Sequence, residues 1–363
     1  TMASNNLKQE LSNGTVIERD NASSKNLNAG IAVSWQFFDG MRMFATKKRL
    51  EELQKIGETN FAKMVNTTAY SVVTQYYTIV QLQQQLKASK EVVALYEERL
   101  KIADNRFKIG SAAKTDLLQA QSDLNEQIAN QKQLLNNIEV AKTNLNTIMA
   151  RNATVAFTVN DTLNIKKDID FTALQQKISK QNPDIQLANS NLVVLMQNKK
   201  EIQAQRLPTA SLNGNYNFSR TKNAAGFNLL NQTYGPSVGV GVAIPIYNGS
   251  RVKKQIQVAD LNIKNQNIAI AQIRNDIDNT LSNAYLYYKN GLELAELEQN
   301  NLSIVKESNT INLERFRKLS ITSIELRQGQ VDYINSQTRL INALYQAKLA
   351  EAEMLLLSGE IAD

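Results

Sequence analysis

The sequence predicts a mainly α-helical chain with a small β part, built as a duplicated strand-strand-long helical hairpin. Three observations predict it. The two halves of the 363 residues match without a gap at an offset of 209, the distance from Gly40 to Gly249. Two stretches, one after each of those glycines, run for some 68 residues with no Pro and a single Gly. Short segments ahead of them alternate apolar and polar residues, the period of a strand.

The matches at that offset are dense. Arg42 meets Arg251, Tyr76 meets Tyr285, and Arg106-Phe107 meets Arg315-Phe316. Ser111, Leu117, Gln119, Gln121 and Asp123 meet Ser320, Leu326, Gln328, Gln330 and Asp332, while Asp116 meets Glu325 and keeps the charge. A period this long is a duplicated domain rather than a solenoid of short units.

In chain order, a weak strand is expected near Asn5 to Leu11, then a polar loop at about 12–26. From 27 to 37, Leu27, Ala29, Ile31, Val33, Trp35 and Phe37 share one face and polar or small residues the other. Residues 211–219 and 237–246 alternate likewise, with a polar loop expected at about 221–234. Asp39-Gly40 and Asn248-Gly249 turn the chain into helix. On alternation alone, these strands fit a soluble sheet with one wet face as well as an outer-membrane barrel. Four strands cannot close a barrel, whose minimum is about eight, so either the edges stay open or several chains share one wall.

Each long stretch, if helical, spans roughly 100 Å, a length found in coiled coils. Ile256, Ile263, Ile270, Ile277 and Ala284 recur every seven residues, as a supercoiled seam requires. Leu261, Ile268 and Leu281 fall off that stripe, so the apolar face is broad. A ring of helices and an ordinary antiparallel bundle both account for this. Gly110 is placed to end the first helix, and Thr322 with Glu325 has capping-box spacing. Basic residues close each first helix and Asp116 or Glu325 opens each second, which suits both helix dipoles.

Composition excludes much chemistry. With no Cys and no His there is no disulfide, thiolate nucleophile, catalytic triad or common zinc site. No cofactor is expected and no metal. No carboxylate pair or Lys nucleophile stands out, so the chain is not read as an enzyme. Its net charge of +7 is scattered, with no dense basic block and no RNA-binding motif, so no nucleic-acid partner is expected. No run of apolar residues is long enough for a membrane-spanning helix.

Three signatures carry a family resemblance. They are the duplicated Arg-Phe…Ser…Asp/Glu-Leu…Gln…Gln turn, the Asn182-Pro183-Asp184-Ile185 helix start with its end at Arg206-Leu207-Pro208, and the strand ends Phe38-Asp39-Gly40 and Tyr247-Asn248-Gly249. With the repeat, they make the chain resemble the TolC-type outer-membrane efflux factors over nearly its whole length. The resemblance implies a homotrimer in outer-membrane lipid, with four strands per chain closing a 12-stranded β-barrel and the helices forming a periplasmic α-barrel. It implies an exit duct for efflux or type I secretion, working with a periplasmic adaptor and an inner-membrane transporter. The helix turns would be the periplasmic tip. Asp116, Glu325 and Gln328 match the constriction; Arg106, Phe107, Gly110, Ser111, Leu117, Arg315, Phe316, Ser320, Thr322 and Leu326 match the adaptor-facing turns. Gln328 stands where family members often carry a second acid, so a single ring of Glu325 is expected.

The expected organisation is a first repeat at 1–150 (strands about 5–38, hairpin about 40–150), an equatorial segment at 151–183, a second repeat at 184–359 and a tail at 359–363. The second repeat adds a helix at about 184–207 to strands at about 209–246 and a hairpin at about 249–358. The first repeat has no counterpart of that helix, so an N-terminal helix and an export signal are expected to precede Thr1. The rival reading is a non-pore periplasmic coiled-coil adaptor or scaffold. Against it, adaptors carry one hairpin flanked by other β modules.

Overall fold

The computed structural model describes residues 1–160, 162–166 and 168–361; parts of the expected equatorial segment and of the tail lie outside these. In chain order the elements are β1 (Met2–Glu10), β2 (Val16–Phe38), α1 (Arg42–Lys108), α2 (Lys114–Ile148), α3 (Phe171–Gln181), α4 (Pro183–Ala204), β3 (Thr209–Asn223), β4 (Leu230–Ala243), α5 (Arg251–Arg317) and α6 (Ser323–Ser358). They form two compact units, 1–54 with 190–267 and 55–189 with 268 onward. Each unit draws on both halves of the chain.

The first unit holds one antiparallel sheet of order β1-β2-β3-β4. Trp35 pairs with Leu212 and Leu212 with Val240; Ile31 pairs with Tyr216. One face is therefore apolar, and it is bare: Ile31 is 74%, Trp35 63%, Val238 77% and Val240 69% exposed. The other face is a polar ladder, in which Ser34 Oγ donates to Asn213 Oδ1 at 2.7 Å and Ser219 Oγ to Asn28 Oδ1 at 2.7 Å. Among the described residues, β1 and β4 are the edge strands, each paired on one side only.

The strands outrun their apolar pattern. The segments expected as loops are largely strand: β2 starts at Val16 and β4 at Leu230, leaving only 11–15 and 224–229 as connections. The extensions are mostly polar, with only scattered apolar residues such as Val16, Ile17 and Leu230, so they show no clear alternation. Backbone pairing holds them, as in Lys8↔Glu18, Ser24↔Asn223 and Lys222↔Leu230. β4 stops at Ala243 rather than 246, because Pro245 has no N–H to give the ladder.

At the sheet's exit Asp39 accepts the Met43 N–H at 3.1 Å, capping α1. Gly40 has φ 70°, and a Cβ there would sit 2.6 Å from the Ala204 carbonyl oxygen and 2.8 Å from Leu207 Cβ, so only glycine fits. α4 ends at Ala204, three residues earlier than expected, and hydrogen-bonded turns carry the chain to Pro208.

The second unit is helical. α1 and α5, 67 residues each, begin in the first unit and continue through this one, and no helix among the described residues is long and apolar enough to cross a membrane. Ile270, Ile277 and Ala284 are buried at seven-residue spacing, whereas Leu261 and Ile268 remain exposed. Ile277, Leu281, Ala284 and Tyr288 pack with Ile178, Ile185, Ala350 and Met354. Asn182 explains the Asn-Pro-Asp-Ile signature. Its Oδ1 accepts the Asp184 and Ile185 N–H groups at 2.9 and 3.2 Å, and its Nδ2 donates to the Leu357 carbonyl at 2.9 Å. The segment before α3 is irregular but tied down: Asn146 Nδ2 donates to the Ala153 and Val155 carbonyls, and Tyr288 Oη to that of Lys166.

The element ends keep the offset of the sequence. Eight of the eleven described residues with positive φ fall in pairs 209 apart: Gly40 and Gly249, Met41 and Ser250, Gly110 and Leu319, Ala150 and Gly359.

Candidate functional site at the helix turns

The two turns, α1–α2 and α5–α6, close by the same backbone device. Ser111 N–H donates to the Arg106 carbonyl at 2.8 Å and Gly110 N–H to that of Phe107 at 3.0 Å. Ser320 N–H donates to the Arg315 carbonyl at 2.8 Å and Leu319 N–H to that of Phe316 at 3.1 Å. This double bond needs a left-handed residue after the helix. Gly110 takes φ 73° freely; Leu319 takes φ 63° against the clash between Cβ and backbone.

The second helices begin differently. Thr322 Oγ1 accepts the Glu325 N–H at 3.2 Å, and Glu325 Oε2 accepts the Thr322 N–H at 2.7 Å and hydroxyl at 2.9 Å. These two donors, the backbone one foremost, hold the Glu325 carboxyl below the usual carboxylate range. Asp116 holds the matching third position of α2, but the residue before that helix is Ala113, which has no side chain to complete a box.

The turns meet at a cleft of about 550 Å³, lined by Arg106, Ser111 and Asp116 from one hairpin and Phe316, Ser320, Thr322 and Glu325 from the other. Phe107, Gly110, Leu117, Arg315, Leu326 and Gln328 do not line it. Leu326 lies beneath, fully buried with Ile102, Phe316 and Ile321. The Arg106 guanidinium stacks 4.5 Å from the centre of the Phe316 ring. The repeat is not symmetric in use: Phe316 is 2% exposed, its counterpart Phe107 38%. Gln328 Nε2 donates to Asp332 Oδ1 at 2.9 Å, one turn along α6.

Sequence reasoning passed over a buried ion pair. Arg99 Nη1 donates to Asp123 Oδ2 at 2.8 Å, with both side chains nearly inaccessible. Gln119 Nε2 donates to the other Asp123 oxygen at 2.7 Å, and the half-exposed Arg327 approaches at 3.6 Å from the second hairpin. The counterpart of Arg99 is Ser308, so matching the halves hides it. Hairpin symmetry reveals it: folding the chain about Ser111 sets position 99 opposite 123.

A family model described as "Outer membrane efflux protein" matches residues 2–151 and 174–360. The outer membrane efflux protein BepC of Brucella suis biovar 1 is 21% identical over 92% of this chain and 72% of its own length. TolC of Escherichia coli K12 is 23% identical over 66% of this chain and 50% of its own, so the chain spans half the length of that relative. Among solved structures, the outer-membrane channel OprN superposes with a TM-score of 0.82 at 16% identity, covering 99% of this chain and 80% of OprN. VceC of Vibrio cholerae gives 0.78 at 13% identity, over 99% and 86%. MtrE of Neisseria gonorrhoeae, in its open state, gives 0.72 at 16% identity, over 99% and 80%. This chain belongs to the outer membrane efflux protein family, TolC-type channels of the Gram-negative outer membrane that extend into the periplasm.

Proposed function

We propose that three copies of this chain form an export duct, each copy giving four strands to a 12-stranded barrel and two hairpins to a periplasmic helical wall. In this reading the 209-residue offset is a duplicated strand-strand-hairpin unit, and the trimer conducts passively. An inner-membrane transporter supplies the energy, and a periplasmic adaptor docks on the turns around Arg106, Phe107, Gly110, Ser111, Leu117, Arg315, Phe316, Ser320, Thr322 and Leu326.

The observation that carries the reading is the sheet. Its two edges are open and its apolar face is bare, which in water is an aggregation hazard. In lipid the same features are what a barrel segment requires: edges joined to neighbouring copies, apolar side chains outward, polar ladder inward.

The gate lies at the helix turns. Asp116 and Glu325 share the tip cleft, and Gln328 stands one turn further along α6. Three copies set a ring of carboxylates across the path, which favours cations over anions. The gate opens when the hairpins of one repeat shift against their neighbours. Single-channel recording in planar bilayers tests this. Glu325→Ala is expected to raise conductance, weaken cation preference and relieve block by divalent ions. Unchanged values for all three would remove Glu325 from the gate.

A further inference from the structure

Just past the sheet, within the first unit, lies a cleft of about 630 Å³ whose lining includes Lys48, Lys200 and Arg206 together with Met41, Phe44 and Leu207. No carboxylate lines it. Three acids nearby have other partners: Glu201 pairs with Arg49 at 2.8 Å, Asp260 with Lys199 at 2.6 Å and Asp39 with Arg42 at 3.6 Å. Lys48, Lys200 and Arg206 enter no ion pair among the described residues, and all three are exposed. The apolar members are bare as well: Met41 is 57%, Phe44 62% and Leu207 45% exposed.

Position gives this combination its meaning. The apolar stripe of β2 runs from Leu27 to Phe37. Ten strand steps at about 3.4 Å, tilted by about 40°, cover roughly 25 Å, the height of an outer-membrane barrel's apolar band. Asp39 and Gly40 follow, and Met41 begins the cleft. The cations therefore stand at the depth of the lipid headgroups, with Met41, Phe44 and Leu207 beside them for the first part of an acyl chain. α5 repeats the bias. It opens Arg251-Val252-Lys253-Lys254 with no acid in its first turn, although a helix N-terminus favours acids.

We infer that this cleft is a binding site for an anionic phospholipid, its phosphate held by Lys48, Lys200 and Arg206 and its chain laid on Met41, Phe44 and Leu207. A lipid suits the site better than free phosphate because the cations share it with bare apolar surface. The inference rests on reading the sheet's apolar face as the lipid face.

Native mass spectrometry of the detergent-solubilised protein, titrated with phosphatidylglycerol or phosphatidylcholine, tests it. The full chain is expected to retain phosphatidylglycerol in preference to phosphatidylcholine. Each cation near an anionic headgroup contributes roughly fivefold, so Lys48→Gln/Lys200→Gln/Arg206→Gln is expected to lose affinity about 100-fold. Lys48→Arg/Lys200→Arg, which keeps the charge, is expected to bind as the parent does, separating a lost site from a damaged fold. Equal retention of the two lipids, unchanged affinity in the triple Gln variant, or saturation by inorganic phosphate alone would each overturn the inference. The underlying reading has its own probe in Trp35, the only tryptophan. Brominated acyl chains are expected to quench it in vesicles. No quenching sinks the lipid-face reading and the site with it, whereas quenching with unchanged lipid affinity sinks the site alone.

Discussion

Replacing Asp123 by Asn is expected to loosen the tip of the first hairpin far more than any other isosteric change there. Asp123 takes a full charge-assisted bond from Arg99 at 2.8 Å and a second bond from Gln119 at 2.7 Å. Arg99 is 2% exposed, and its Nε already lacks a partner. With Asn the guanidinium keeps its charge, keeps its burial and loses its counter-ion. Removing one member of a buried pair costs about 3–5 kcal/mol. Arg327 cannot stand in for the lost carboxylate, being a cation itself, and the loss of its own half-exposed 3.6 Å contact adds little. Hydrogen exchange by mass spectrometry reads the effect on peptides spanning 90–108 and 114–130. If those amides exchange through local opening, about 3–5 kcal/mol means exchange faster by about 100-fold to several thousand-fold. Arg99→Met with Asp123→Leu removes both charges and is expected to restore most of the protection, since well-packed apolar pairs replace buried ion pairs at little cost. A change below tenfold in the single variant, or a double variant as labile as the single, would refute this account of the pair.

Two further outcomes concern the turns. Gly110→Ala is expected to destabilise the first turn by roughly 1 kcal/mol through its φ of 73° alone, since a Cβ there meets nothing within 4 Å. Leu319→Gly is expected to do the reverse, gaining roughly 0.5–1 kcal/mol, because relief of the left-handed clash exceeds the extra freedom of the unfolded glycine; exchange of the turn amides decides both. The start of α6 is expected to fray in acid. Glu325 titrates below its ordinary value of 4.5, so the capping box stabilises the fold above that pH and is lost as pH falls through the lowered value. Exchange at the first turn of α6 should quicken in that window, and Glu325→Gln should abolish the dependence.

Much of this was legible in the sequence where a local rule has one answer. Gly110 and the Thr322–Glu325 spacing announced helix ends that need only a few residues to specify. The apolar stripe of β2 was visible because its other face holds only polar or small residues. The strand extensions at 16–26, 221–223 and 230–234 were not, because mostly polar residues carry no clear period and pairing across 199 positions, as between Ser24 and Asn223, leaves no local trace. The Arg99–Asp123 pair was hidden for a related reason: it is specified by the fold-back of the hairpin, not by spacing along one helix.

The tip shows how one motif can be put to two uses. Arg106 and Arg315 are the same letter in the same frame, yet Arg106 lies on a buried ring while Arg315 stays exposed. Phe316 is that ring, whereas Phe107 is left partly bare. Gly110 relaxes where Leu319 strains, and Ala113 leaves open the box that Thr322 closes. In the second hairpin the Phe is core, seated against Arg106, and the turn carries a closed capping box. The first hairpin kept its Phe at the surface and added a charge pair, Arg99 with Asp123, that the second lacks. A strained Leu319 beside a well-capped helix and a relaxed Gly110 beside an uncapped one place the stability of the two turns in different bonds. Acid is therefore expected to loosen the second turn through Glu325.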